Sequence, residues 1–563
     1  MQFKDFPYTR VSTTEAEVAI TALLARFADA KSPHEQLIVH ADFNRFRSKY
    51  LTAMSLSYIR YTLDTADEYY LEEHEYYDKN APFFTRLEVA FYRALCGSPF
   101  RAELEKTLGK LLFTNVEMML TGFSEEIMAE LSLENELVTQ YQKLRSQLEI
   151  DFRGERLNLP QLRFYMLSDD RETRREAYAK NEEAFMSIAP ELDRIFGELV
   201  GLRTSMAKKL GYEDYVPLGY VNMQRNCYNE KKIADFRAQV KSYLVPFVTS
   251  LHEKRKESLA VDSLKIYDEN CFFPNGSPAP IGTPAEIFER GKEMYTRLSP
   301  KTGEFIRFML EQDLFDCLAK KGKSGGGYCD YIPDFEAPFV FANFNATSED
   351  VDVLTHECGH ALNSYLAKNI TPAEYMHPTF DVAEIHSMAM ELFTSYDMDL
   401  FFGDRAADFR YMQLLSAIMF VPYGCLVDEW QHVVYHNPGL TPEQRHAEWQ
   451  KLEREYLPHL DSGDGDFYGK GRRWQGQSHI YERPFYYIDY CLAQLVSLSY
   501  FLMMEDDFSA AFENYLALSA QAGTKTFSDL VSAAGFSLPY DDGFMEKLIA
   551  DIKPVIDKLF AAM

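Results

Sequence analysis

The chain is poor in the features that mark secreted, nucleic-acid-binding or membrane proteins. Its 563 residues hold eight cysteines, Cys96, Cys227, Cys271, Cys317, Cys329, Cys358, Cys425 and Cys491. No two stand at a C-x-x-C spacing, which excludes a disulfide framework and fits reduced thiols. Basic residues are the minority, 58 against 86 acidic ones, for a formal charge of −28. Such a chain repels nucleic acid and anionic membrane, so neither is expected as a partner. The opening residues MQFKDFPYTR lack an apolar stretch of the secretory kind. The longest apolar run, Leu414–Val427, is interrupted by Ser416, Pro422 and Gly424 and reads as too short to span a bilayer. Internal repeats and low-complexity tracts are absent. These absences predict a soluble, cytoplasmic protein, and none of them bears on oligomeric state.

What is present is apolar and aromatic. Tryptophan occurs three times, but there are 36 Tyr and 42 Phe, enough for a large core and for a cleft lined by hydroxyls on apolar rings. From Thr13 to about Asp316 apolar residues recur at three and four positions, as in Glu15–Ala28 and Arg86–Leu95, which predicts helices. Turn residues break the pattern at Gly97–Pro99, Leu157–Pro160 and Phe273–Pro284. The expected division is an N-terminal helical lobe over 1–160 and a catalytic helical region over 161–563, with the two lobes intertwined. After Ser324-Gly325-Gly326-Gly327 the composition turns strand-like, and Phe339–Phe344 is the candidate for a small β element. Helical periodicity resumes near Ser348, and a second glycine-rich stretch runs from Gly463 to Gly476.

Within Val351–Lys368 stands His356-Glu357-Cys358-Gly359-His360, an H-E-x-x-H. Thr347 or Ser348 is the expected N-cap, with Glu349 and Asp350 in the first turn where the helix dipole favours acids. Positions four apart are helix neighbours, so both imidazoles can reach one zinc ion, with Glu357 beside them to act on a water. Among the chain's other His-Glu pairs, His74-Glu75 and His252-Glu253 lack the second histidine and read as solvated helix surface. Val351, Val353, Leu354, Ala361 and Leu362 make the motif helix apolar, so it is expected to be buried. A catalytic zinc needs a third protein ligand and an open position. The helical pattern Phe380–Phe402 carries Glu384 and Glu391 on one face amid apolar residues, where an unpaired acid would be costly. Glu384 is the expected ligand, and Glu391 the acceptor that orients a ligand histidine through its free N–H. His386, two positions from Glu384, should point elsewhere.

HECGHALNSYL, followed about twenty-four residues on by Glu384, Ser387 and Glu391 in E-I-H-S-M-A-M-E, resembles the thimet oligopeptidase family in its oligoendopeptidase F and Pz-peptidase branch. The stretch KSGGGYCDYIPDFEAPFVFANFN is similar to the family's approach to its motif. A third block, Ser478–Tyr490, resembles its histidine with clustered tyrosines. The resemblance is closest over about Gly325 to Gln494. Ile385-His386 stands where other members often carry Val-Pro or Ala-Pro. The resemblance implies a mostly helical, two-lobed ellipsoid with a deep substrate channel and a small β element near the zinc. It also implies one Zn2+ per chain and short unfolded peptides as partners. It gives His479, Tyr486 and Tyr490 as donors to the substrate carbonyl and the tetrahedral intermediate, with Tyr487 an alternative to Tyr486.

The chemistry then expected is zinc-dependent endopeptidase action on internal bonds, with Glu357 as general base. Main-chain groups of Phe339–Phe344 are a candidate for pairing with an extended substrate. Two other readings are an H-E-x-x-H aminopeptidase and an inactive helical peptide-binding protein. The lack of a G-x-M-E-N-type segment for a free N-terminus counts against the first, and the retained Glu357 against the second.

Overall fold

Helix starts are written into the sequence by polar caps. Ser12 and Ser32 accept from the backbone N–H of Glu15 and Glu35, opening the helices Thr13–Asp29 and Pro33–Leu63. Thr283, Ser299 and Thr441 do the same with reciprocal capping boxes. The computed structural model describes residues 1–562. It is mostly helical, with one two-stranded and one three-stranded sheet. The strands are β1 (Ile150–Phe152), β2 (Glu155–Leu157), β3 (Phe315–Leu318), β4 (Tyr328–Ile332) and β5 (Ala337–Phe344).

The chain forms two compact units, each assembled from distant stretches. The first comprises Met1–Glu125, Ala279–Ala406 and Val496–Phe536. Its N-terminal helices close on Phe43, Phe91 and Leu95, all fully buried, with the rings of Phe43 and Phe91 stacked at 3.9 Å. The expected β element is β5, and it lies at the centre of the sheet β3-β5-β4. It runs parallel to β3, with Phe315 opposite Val340, and antiparallel to β4, with Tyr328 opposite Phe341 and Ile332 opposite Ala337. Both edges of β5 are therefore occupied by neighbours, which overturns the expectation that an extended substrate pairs with Phe339–Phe344. Against the sheet packs the motif helix, Ser348–Ala367. Its N-cap position is Thr347, as expected, but the Thr347 hydroxyl donates to Asn345 Oδ1 at 2.8 Å and caps nothing. The carboxylate of Asp350, in the first turn, instead reaches back out of the helix and holds the preceding loop by the backbone N–H groups of Asn345 and Ala346.

The second unit comprises Glu126–Pro278, Ala407–Leu495 and the stretch from Ser537 onward. Its axis is the helix Arg171–Lys209. All three tryptophans, Trp430, Trp449 and Trp474, are fully buried here. Trp430 lies 4.6 Å from Trp474 and 5.8 Å from Trp449, ring centroid to centroid, and Trp474 stacks on Tyr481 at 5.9 Å. The β1–β2 hairpin was not foreseen. Its turn, Arg153-Gly154, takes φ of +49° and +88°, the left-handed pair that matches strand twist, but Arg-Gly is not a common signal for it.

Two helical stretches, Asp399–His436 and Tyr487–Asp506, are long and apolar enough to cross a bilayer by composition, which corrects the reading of Leu414–Val427 as too short. Yet 67% and 72% of their apolar windows are buried by the chain itself, as in core helices. His252 is likewise not on a solvated surface: it is buried, with its ring 3.4 Å from that of His459.

Glycines separate into two kinds by surroundings. A Cβ on Gly359 would lie 2.5 Å from the His386 carbonyl oxygen and 2.6 Å from Ser387 Cα, whereas one on the helical Gly201 would meet nothing within 4 Å. Gly359→Ala should therefore destabilise by about 1–3 kcal/mol through overpacking. Gly201→Ala should be neutral or stabilise by up to about 1 kcal/mol through helix propensity. Thermal unfolding of the two variants beside the parent checks this, and equal midpoints for both would contradict the packing argument.

Candidate metal centre

Two helices of the first unit build the site. The motif helix carries His356, Glu357 and His360, and the helix Phe380–Phe393 carries Glu384, Ser387 and Glu391. Gly359, between the two histidines, is where the helices touch backbone to backbone. That closeness brings the short Glu384 carboxylate within reach of both imidazoles. Glu384 Oε2 stands 3.4 Å from His356 Nε2 and 3.6 Å from His360 Nε2, and the three donors lie within 4.8 Å of one another. Tetrahedral zinc with bonds of about 2.0–2.1 Å needs ligand atoms about 3.3 Å apart, so the donor set fits that ion in type and spacing.

The surrounding groups hold these atoms in place. His356 Nδ1 is 2.6 Å from Glu391 Oε1, and a proton held on Nδ1 by Glu391 would free Nε2 to meet a metal beside Glu384. Ser387 Oγ donates to Glu384 Oε2 at 2.9 Å and fixes the buried carboxylate. Tyr515 donates to the His386 carbonyl at 2.7 Å, and Asn363 to the Ser519 carbonyl at 2.7 Å, tying both helices to the helix Phe508–Ser519. His386 is fully buried and lies outside the donor set, as its position on the helix predicts.

Glu357 is 9% exposed. Burial, helped by the negative charges of Glu384 and Glu391 and opposed by His356 and the Cys329 backbone N–H, pushes its carboxyl up to about 7. A carboxylate at that value can take a proton and return it near neutral pH. Burial pushes the His360 imidazole down to about 4, the direction that keeps it neutral and able to ligate. For His356 burial is outweighed by its bonds to Glu384 and Glu391, which raise it well above the usual range.

In the second unit His479 stands among three tyrosines. Its ring centroid is 5.8 Å from Tyr486, 5.1 Å from Tyr487 and 5.8 Å from Tyr490, and Tyr486 and Tyr490 are 4.7 Å apart. The chain enters this group through Phe485, at φ +69°, a left-handed value rare for an aromatic residue. The Phe485 amide donates to Gln431 Oε1 at 3.0 Å, and its carbonyl accepts from Arg225. Arg225 also pairs with the fully buried Asp489, Nη2 to Oδ1 at 3.1 Å, next to Tyr490. Gln477 Nε2 is 2.9 Å from His479 Nδ1, and Gln477 Oε1 accepts from the Tyr423 hydroxyl at 3.1 Å. Sequence reasoning missed Gln477, Arg225 and Asp489, since nothing local distinguishes them. The role of Gly359 was legible in principle, because a glycine inside a buried helix asks for a close neighbour.

Comparison with known proteins agrees with these motifs. The profile of the Peptidase M3 N-terminal domain matches residues 3–123, and that of Peptidase family M3 matches 164–273 and 303–548. A crystal structure assigned as an oligoendopeptidase F superposes with a TM-score of 0.95 at 41% identity, covering 99% of each chain. Pz peptidase A, solved with an inhibitor, superposes with 0.95 at 40% identity and the same coverage. Likeness to oligopeptidase PepF of Bacillus subtilis is more limited, 24% identity over 258 residues, and spans 43% of this chain and 37% of that protein. With family profiles over most of its length and full-length structural relatives near 40% identity, the chain belongs to peptidase family M3, in its oligoendopeptidase F and Pz-peptidase branch.

Proposed function

We propose that the protein is a zinc-dependent endopeptidase that hydrolyses internal bonds of short peptides, with His356, His360 and Glu384 holding the metal and Glu357 as general base. One observation carries the reading: two imidazole nitrogens on the helix that also bears Glu357 and a buried carboxylate oxygen from the neighbouring helix, spaced for a tetrahedral ion. A zinc ion bound there supplies a Lewis acid that makes water acidic near neutral pH.

The protein's own groups do the rest. Glu357 removes a proton from the attacking water and delivers it to the leaving amine. Glu391 keeps His356 in the tautomer with Nδ1–H outward, and Ser387 keeps Glu384 from turning away. To His479, Tyr486 and Tyr490 the family's pattern assigns donation to the substrate carbonyl and the oxyanion. For His479 the supporting contact is Gln477: with Oε1 taken by the Tyr423 hydroxyl, its Nε2–H₂ faces His479 Nδ1, which leaves the imidazole proton on Nε2, where it can donate. The eight free thiols support a place in a reducing cytoplasm.

Glu357→Gln should lower kcat by about 10²–10⁴-fold while zinc content, measured by atomic emission, stays at one per chain; undiminished hydrolysis would refute the assigned base. Glu391→Gln should leave the ligands intact and weaken zinc binding by about 10–100-fold in chelator competition. A peptide blocked at its N-terminus should be cut at an internal bond, as mass spectrometry of the products would show. Strict release of N-terminal residues from free peptides would favour an aminopeptidase.

A further inference from the structure

We propose that the second unit carries a carboxylate-binding subsite for substrate: a cavity of about 270 Å³ walled in part by Arg145, Arg163 and Arg473. It would take an acidic side chain or the free C-terminal carboxylate of a peptide. The proposal rests on the peptidase reading above and names a substrate preference for it.

Charge points to the ligand. The chain as a whole carries −28, yet arginines outnumber acids in the lining of this cavity, where Glu269 is the one carboxylate residue. Glu269 is engaged with Arg473, whose Nη2 donates to its two oxygens at 2.9 and 2.8 Å. Arg145 has no carboxylate partner among the described residues. It donates to the Tyr141 hydroxyl at 3.1 Å and lies over that ring at 5.3 Å, while its Nε is buried without a hydrogen-bond partner. With Nη1 on the Tyr141 hydroxyl, the accessible Nη2 is left for an acceptor, and a carboxylate is the acceptor that matches a guanidinium. The volume lies just below the range of about 300–1,000 Å³ usual for drug-sized ligands, which suits a single peptide residue.

Position points to the substrate. Tyr423 and Gln477 belong to the cavity wall, and they form the hydrogen-bonded chain that ends on His479 Nδ1, with links of 3.1 and 2.9 Å. A residue seated here is thus two hydrogen bonds from the imidazole assigned to the substrate carbonyl. A cavity so linked to His479 is placed to select the residue that a peptide presents there.

The test uses zinc-loaded full-length enzyme and quenched fluorescent peptides of one length, made as pairs: C-terminal acid against amide, and Glu against Gln at each position in turn. The parent should show a KM about tenfold lower for the carboxylate member of at least one pair, and which pair does so separates terminal from side-chain recognition. In Arg145→Ala that ratio should fall to about one, and Arg145→Lys should restore part of it. A parent indifferent to every pair would overturn the proposal, as would a ratio that survives in Arg145→Ala. Should none of the peptides be cleaved, the peptidase reading fails separately. Calorimetric binding of the same pairs to Glu357→Gln, with and without Arg145→Ala, then decides the subsite by the same ratio.

Discussion

Two helix backbones meet at Gly359 more closely than any side chain would allow, with room for a hydrogen but not for a methyl between Cα and the His386 carbonyl. The site depends on that contact. Glutamate has a limited reach, and Glu384 comes within 3.4 and 3.6 Å of the two imidazoles because its helix lies against theirs. A residue with a Cβ would push the helices apart and open the spacing that a small tetrahedral ion requires. The glycine of the motif is therefore as much a part of the candidate metal centre as the three donor residues.

Around that contact the first unit gathers acids in a buried place. Glu357 and Glu384 are buried and Glu391 is half-buried, and the motif sets two imidazoles among them, of which burial keeps His360 neutral. Burial above all, with the charges of Glu384 and Glu391 adding to it, brings the Glu357 carboxyl up to about 7. Each is held by a specific neighbour: Ser387 on Glu384, His356 on Glu391, and the Cys329 amide near Glu357. Buried charge is tolerated here because every acid has a partner, and a divalent cation would relieve the repulsion that remains.

The second unit solves a different problem, the rigid presentation of a histidine and several tyrosines from an irregular segment. It does so with apolar mass on one side and buried ion pairs on the other. Trp474 and Tyr481 anchor the segment around His479 within the tryptophan cluster. Arg225 and Asp489 hold the left-handed turn at Phe485 and the first turn of the helix bearing Tyr490. A strained backbone persists where its surroundings over-determine it, and such places gather at working sites.

Sequence alone determined a good deal. The spacing of His356 and His360 placed both imidazoles on one helical face, and seven residues placed Glu384 and Glu391 on another, because helical periodicity is a local property of the chain. Apolar recurrence gave most helices, and β5 was visible in its composition. It could not show that β5 lies between two other strands, that His252 is buried against His459, or that Asp350 holds the loop before the motif helix while Thr347 makes no cap. Nor could it single out Gln477, Arg225 or Asp489, or the cavity beside Arg145. Those depend on which distant segments meet, and the two units are each stitched from stretches hundreds of residues apart. Local pattern fixes what a segment can present, but only packing decides what it is presented to.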